Sequence, residues 1–388
     1  MEWPCRPVEQ IPYRQFRPPH CPWPGCSRHR ATGGFLYKRE GSYTRSADRR
    51  RVARFRCKSC GRGFSQQSFA CSYYAKRPRL IPCIAAGLNA GSAHRQIART
   101  LGCSPSTVTR RAAQLGRHAL LLNSLAIDKI KAIREALVLD HFETFVSDQF
   151  DALGIGTVVG HESWFVYAID PAPHRRGGRI TPAQRRKLEN RKKEEPPRGS
   201  IVHSTTRMLD VIGNAAPAGT ELALISDAHK AYPQAVMRHP LAKHIRHVVF
   251  PNPPRGPKGS PPGPEARARD RAMFPVDQLH ALWRHSCAHN RRETIAFGRR
   301  INAMMERAHL TTVWRNFVKW RSERKPDRTT PAMKVGLTDC PWDWRRVLAQ
   351  RLFPAWQQVP PSWMKLYLRD WDTDPAGQFT RHRRKHAF

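Results

Sequence analysis

Two groups of side chains in this sequence have types and spacings that could do chemistry. The first is a pair of aspartates that each close an apolar run, Asp140 after Ala136-Leu-Val-Leu and Asp227 after Glu221-Leu-Ala-Leu-Ile-Ser. Carboxylates brought side by side raise each other's pKa unless a cation intervenes. Mg2+ resolves such a repulsion with oxygen ligands while keeping positions open for phosphate and water. The second group is Cys21-Pro-Trp-Pro-Gly-Cys26 and Cys57-Lys-Ser-Cys60, two knuckles whose thiolates can close a tetrahedral Zn2+ site. A closed site of this kind supplies folding energy and no catalysis. Cys5, Cys71, Cys83, Cys103, Cys287 and Cys340 lack a near partner and read as buried thiols.

The bulk composition says what these groups act on. With 388 residues the chain exceeds one ordinary core, which implies two or three domains. Its 68 Lys and Arg against 30 Asp and Glu give a net charge of +38, which points to a polyanionic partner. A membrane partner would need an apolar or amphipathic anchor, and no apolar run is long enough to span a bilayer. The first ten residues lack the basic start and apolar segment of a signal peptide, so a soluble, cytoplasmic protein is expected.

Stepping outward to the elements, strand-like Gly34–Lys38 and Arg51–Arg56 lie between the knuckles and suit the hairpins of a zinc ribbon. Ser92 begins a helix carrying Ile97, Ala98 and Leu101 on one face, Gly102 turns the chain, and Ser104 caps a second helix with Val108, Ala112 and Leu115 inward. This is a helix-turn-helix pattern whose second helix would enter a DNA major groove. On its outer face Ser106, Thr107, Thr109, Arg110 and Arg111 are the candidate DNA contacts. A helical connector is expected over 117–134.

After Asp140, Leu153–Val159 and Trp164–Ile169 complete a three-strand meander. A surface helix over Thr181–Lys193 and a second over 203–213 precede the strand that delivers Asp227. Two strand-end acids in this order match a ribonuclease-H-like domain, where neighbouring strands set two carboxylates side by side. Residues 251–271 read as a Pro/Gly-rich loop, with helix resuming at Gln278. Trp342, Trp344, Trp356, Trp363 and Trp371 suit packing, and the run 381–386 is a basic tail that could touch phosphate.

Together with Phe55-Arg-Cys-Lys-Ser-Cys-Gly-Arg-Gly-Phe-Ser65 and Ser226-Asp-Ala-His-Lys-Ala-Tyr232, the segments His289–Arg300, Glu306–Val318 and Thr330–Met333 resemble the transposases of bacterial insertion sequences that carry a DDE triad. The resemblance covers nearly the whole chain. It implies an α/β, ribonuclease-H-like catalytic core preceded by a small zinc ribbon and a helical helix-turn-helix domain. It further implies that Asp140, Asp227 and a helical Glu hold two Mg2+ ions for in-line attack on phosphorus at transposon ends. Glu293 is preferred to Glu306 as the third acid, because Arg292 and Arg299 near it could grip phosphate. The family often has a second acid directly after the first Asp, whereas His141 stands here; Asp148 is the fallback if Asp140 only caps a turn.

The domain boundaries that follow are 15–75 for the zinc ribbon, 80–122 for the helix-turn-helix, 135–320 for the catalytic domain and 321–388 for a basic, Trp-rich tail. The expected partner is double-stranded DNA, both element ends and target, in the bacterial nucleoid, with the chain acting as a homo-oligomer that pairs two ends. A catalytically inactive DNA-binding regulator and a nuclease on the same fold are the competing classes.

Overall fold

The computed structural model describes residues 6–30, 34–178, 180–190, 195–217, 219–254, 257, 260–324 and 327–371, and the basic run 381–386 lies outside them. Alternating side chains give β1 (Tyr37–Thr44), β2 (Arg51–Cys57) and β3 (Gly63–Ser65), which pair antiparallel in that order. One face of the small sheet buries Phe55 and Phe64 against Phe16 and Phe69. The cysteine knuckles flank this aromatic cluster.

Three helices follow, α1 (Leu80–Asn89), α2 (His94–Thr100) and α3 (Pro105–Lys129). The cap of α2 falls one residue later than expected, on Ala93, whose N–H donates to the Gln96 side chain at 2.8 Å. Gly102 turns the chain at φ +54°, and Ser104 caps α3 by accepting from the Thr107 N–H at 3.3 Å. The expected break into a recognition helix and a connector is absent. α3 runs unbroken for 25 residues, and its second half, from Leu115 to Ile127, is buried. Leu, Ala, Asn and Ser alternate there without a helix stop signal, so burial on all sides replaces the amphipathic pattern.

The second sheet is mixed. β4 (Leu137–Phe145), β5 (Asp151–Gly160) and β6 (Val166–Arg175) form an antiparallel meander. β7 (Leu222–Ser226) and β8 (Ile245–Val249) add parallel strands on the other side of β4, giving the spatial order β6-β5-β4-β7-β8. Parallel neighbours need crossovers, and α5 (Ser200–Ala215) and α6 (Ala231–Arg238) supply them. α4 (Pro182–Glu189), with Thr181 and Gln184 capping each other, is a short helix on the surface.

Strand periodicity assigns the faces of β4. Phe142 packs on Trp283 of α7 (Pro264–Ser286), with ring centroids 5.5 Å apart, while His141 points the other way to Ser204 of α5. The sheet is therefore covered by α5 and α6 on one face and α7 on the other. α7 corrects the sequence reading of 251–271 as a loop. Helix begins at Pro264, where a missing N–H costs nothing, and Arg- and Asp-rich first turns conceal the apolar face of Met273, Val276, Leu279 and Trp283.

α8 (Ile301–Val313) packs along α3, and the turn Trp314–Val318 continues it with a wider helical pitch. Asn316 in that turn accepts from the Val166 N–H at 2.9 Å and donates to its carbonyl at 3.1 Å, closing the edge of β6. The segment expected as a tail folds back, through α9 (Pro331–Lys334), α10 (Trp344–Val347) and α11 (Pro361–Leu368). Trp363 donates to the Ile169 carbonyl at 3.0 Å, and Phe353 joins the aromatic cluster of the cysteine module. Among the described residues no helix is long and apolar enough to cross a membrane.

Candidate active site and metal centre

The four knuckle cysteines converge. The Sγ atoms of Cys21, Cys26, Cys57 and Cys60 all lie within 4.8 Å of one another, and Cys21, Cys26 and Cys57 are buried. Among the described residues no other group of three or more His, Cys, Asp or Glu side chains meets at that spacing. Cys57 ends β2, and Gly61, at φ +69°, returns its N–H to the Cys57 carbonyl at 3.0 Å, so the tight turn presents both thiols of the second knuckle. Burial raises the Cys57 thiol, but the N–H groups of Cys60 and Ser59 and the neighbouring thiols outweigh it and bring it down to about 7. Four thiols at this separation can hold a metal ion such as zinc.

The two aspartates meet by register, Asp227 just past the end of β7 but Asp140 inside β4, which pairs with β5 as far as Phe145 and so corrects the reading of Asp140 as a strand-end acid. β4 and β7 pair in parallel with Leu137 beside Leu224, Val138 beside Ile225 and Leu139 beside Ser226, so Asp140 and Asp227 are the next pair along. Asp227 accepts from the His229 N–H at 2.9 Å and from the Asn252 amide at 3.3 Å. Asp140 accepts from its neighbour's N–H at 2.7 Å and from the Tyr232 hydroxyl at 3.2 Å. Among the described residues no guanidinium or ammonium forms an ion pair with it. Burial, then the charge of Asp227, pushes the Asp140 carboxyl up to about 7, against the Tyr232 and backbone hydrogen bonds that favour its ionised form.

A third acid whose charge is felt at Asp140 is neither of the glutamates expected. Asp277 on α7 is the other acid whose charge raises Asp140, and Arg269, two turns earlier on α7, forms an ion pair with it. Glu293 is exposed in an irregular segment between Ala288–Asn290 and α8, and lies on no helix. Glu306 is helical but faces away from the aspartates, accepting from Arg369 Nε at 2.8 Å and Nη2 at 3.0 Å with Arg117 at 3.9 Å. Asp148 caps the turn after β4, accepting from the Phe150 N–H at 2.8 Å, and remains apart from the pair.

The residue in place of the family's second acid also has a defined position. His141 stacks on Tyr232 with centroids 5.6 Å apart, its Nδ1 3.1 Å from the Tyr232 hydroxyl and its Nε2 3.2 Å from Ser204 Oγ. Burial holds its imidazole neutral, down to about 3. Gly156 lies opposite it in β5, where a Cβ would come within 2.9 Å of Nε2 and 2.5 Å of Met208 Cε. On the α7 side His280 Nδ1 stands 3.7 Å from Asp140 Oδ2. Sequence reading missed Tyr232, Asp277 and His280 as site residues; the Asp-x-x-His pair spaced one helical turn apart was a signal that could have found the last two.

At the helix-turn-helix, Ser106, Thr109 and Arg110 are exposed on the first turns of α3, and Thr107 is half-buried beside its cap. Arg111 donates to Gln114 at 2.6 Å, so it lies along α3 more than away from it. Arg77, Arg95 and Arg99 line a hollow beside the turn at Gly102, a basic surface that the sequence reading did not single out. Arg292 and Arg299 are exposed on the same irregular segment as Glu293. Set against known proteins, the chain matches no family model and no curated sequence.

Proposed function

We propose that the chain is a metal-dependent DNA strand transferase, a transposase of the DDE kind, whose second sheet is a ribonuclease-H-like core and whose N-terminal modules bind DNA. The observation that carries this reading is the parallel register that sets Asp140 beside Asp227, with Asp277 on the covering helix. The order β6-β5-β4-β7-β8, an antiparallel meander followed by two parallel strands, supports this reading because it puts the two aspartate-bearing strands side by side. In this reading the triad is Asp140, Asp227 and Asp277, and both Glu293 and Glu306 leave it.

Asp140 and Asp227, set side by side by the strand register, supply oxygen donors that a divalent cation would take, and the ion would have to draw in a third ligand, since no three such donors among the described residues lie within 4.8 Å of one another. Asp140 is a largely buried carboxyl that no Lys or Arg among the described residues pairs with, and the donor set is oxygen-rich. When bound, the ion would stabilise charge on the phosphoryl oxygens and acidify the attacking water or 3′-hydroxyl. Tyr232 and the His141 N–H orient the Asp140 carboxylate, while Asn252 and the His229 N–H orient Asp227. Arg269 steadies Asp277, leaving a site open for a DNA backbone. The four-cysteine centre would hold structural Zn2+, and α3 with the arginines beside it would sit on duplex DNA, from Ser106, Thr109 and Arg110.

The test is nicking and joining of a DNA fragment carrying the element's ends in Mg2+. Wild type cuts and joins; Asp140→Asn, Asp227→Asn and Asp277→Asn each lose at least about a hundredfold while still binding DNA. Equal cutting by Asp140→Asn or Asp227→Asn would overturn the catalytic reading and favour a DNA-binding regulator, and cut ends that are never joined would favour a nuclease.

A further inference from the structure

His280 is one helical turn beyond Asp277 on α7 and so projects from the same face. Its Nε2 is 3.0 Å from the Thr157 hydroxyl, and that hydroxyl donates to the main-chain carbonyl of Asp140 at 3.1 Å. A hydroxyl has one proton and a carbonyl only accepts, so the ring donates at Nε2. Nδ1 then carries a bare lone pair. It faces Asp140 Oδ2 across 3.7 Å, beyond hydrogen-bond reach. Two metal–ligand bonds of about 2.1 Å each reach across such a gap. A ligand histidine with its other nitrogen bonded to a fixed acceptor is oriented as metal sites require, and Phe142 and Trp283 flank the ring at 5.4 Å and 6.3 Å.

We propose that His280 is a metal ligand through Nδ1, so that this site takes a first-row transition ion such as Mn2+ in preference to Mg2+. The inference rests on the metal-dependent reading above. An imidazole nitrogen adds affinity along the transition series and little for Mg2+, whose ligands are oxygens. The other imidazoles near the pair are engaged elsewhere. His229 Nδ1 accepts from the Ala231 N–H at 3.3 Å, His247 Nε2 is 2.8 Å from Ser226 Oγ, and His174 pairs with Glu143 at 3.1 Å.

The experiment adds Mn2+ to the full-length protein and reads imidazole 14N coupling by electron spin-echo spectroscopy. Coupling is expected in wild type and in His229→Ala and is lost in His280→Gln. In competition, Mn2+ should displace Mg2+ from wild type with at least about a tenfold preference, falling towards parity in His280→Asp, which restores an all-oxygen set. Mn2+ binding to wild type without nitrogen coupling overturns the proposal, as does coupling that survives in His280→Gln or disappears in His229→Ala. Failure of the metal-dependent reading itself looks different: no Mn2+ binds, or binding is unchanged in Asp140→Asn.

Discussion

At the scale of single residues, Asp140 is held far above the ordinary carboxylate range. Its carboxyl is raised to about 7 by burial and by Asp227, while in an unfolded chain it titrates near the ordinary aspartate value of 3.8. Between those values the folded state holds a proton that the unfolded state has lost, so this group's contribution to stability falls as pH rises from about 4 to about 7. Buried neutral histidines act in the opposite sense: His118, at about 4, and His141 and His309, each at about 3, lose stability as pH falls below the ordinary imidazole range. The difference between metal-free wild type and Asp140→Asn isolates the aspartate. Thermal melts should show Asp140→Asn gaining on wild type steadily from pH 4 to 7 and by a constant margin above, and parallel curves would show that the carboxyl is not strained. The rival third acids separate by similar logic. Glu306→Gln weakens the paired, charge-assisted hydrogen bonds from Arg369 to a buried carboxylate and should cost on the order of 2 kcal/mol in denaturant unfolding. Exposed Glu293→Gln should unfold as wild type does and keep DNA cleavage within a few-fold.

At the scale of elements, the joint between α3 and α8 fixes how the helix-turn-helix meets the larger sheet. It depends on Gly116, where a Cβ would stand 2.3 Å from the Glu306 carbonyl oxygen, closer than real atoms approach. Gly116→Ala should therefore force the helices apart, costing about 1–3 kcal/mol by chemical denaturation, although alanine favours helix by itself. An unchanged midpoint would mean that the joint is looser than it is drawn. The same scale explains why Asp277 was not singled out. Helix was expected from Gln278, one residue beyond Asp277, because Arg-rich turns after a Pro/Gly stretch carry no apolar period; only packing of Met273, Val276 and Trp283 on β4 and β5 makes them helical. Glu293, by contrast, sits among arginines that look like a catalytic helix in sequence and form none.

At the scale of the whole molecule, the cysteine module and the C-terminal segment stabilise one another. Phe353 and Trp356 reach the rings of His20, His29 and Phe69, with His20 and Trp356 centroids 4.7 Å apart, and Arg351 donates to the Ser68 carbonyl at 3.1 Å. Removing the metal from the four cysteines should then loosen more than residues 15–75. Chelation is expected to raise hydrogen exchange both in β1–β3 and around 349–356, and protection lost only in the small sheet would show the two to be independent. What the sequence by itself determined is whatever local chemistry dictates: the paired cysteine knuckles, the capped turn at Gly102 and Ser104, a strand carrying Asp140 and a strand ending at Asp227, and a basic surface. These are written in spacing, turn residues and alternation, each acting within about ten residues. The tertiary structure alone decided that Leu139 lies beside Ser226, that His280 rather than a glutamate faces Asp140, and that Phe353 packs on the cysteine module and Trp363 on β6. Each of these joins residues tens to hundreds of positions apart, where the outcome is set by which buried faces pack together and no local pattern records the partner.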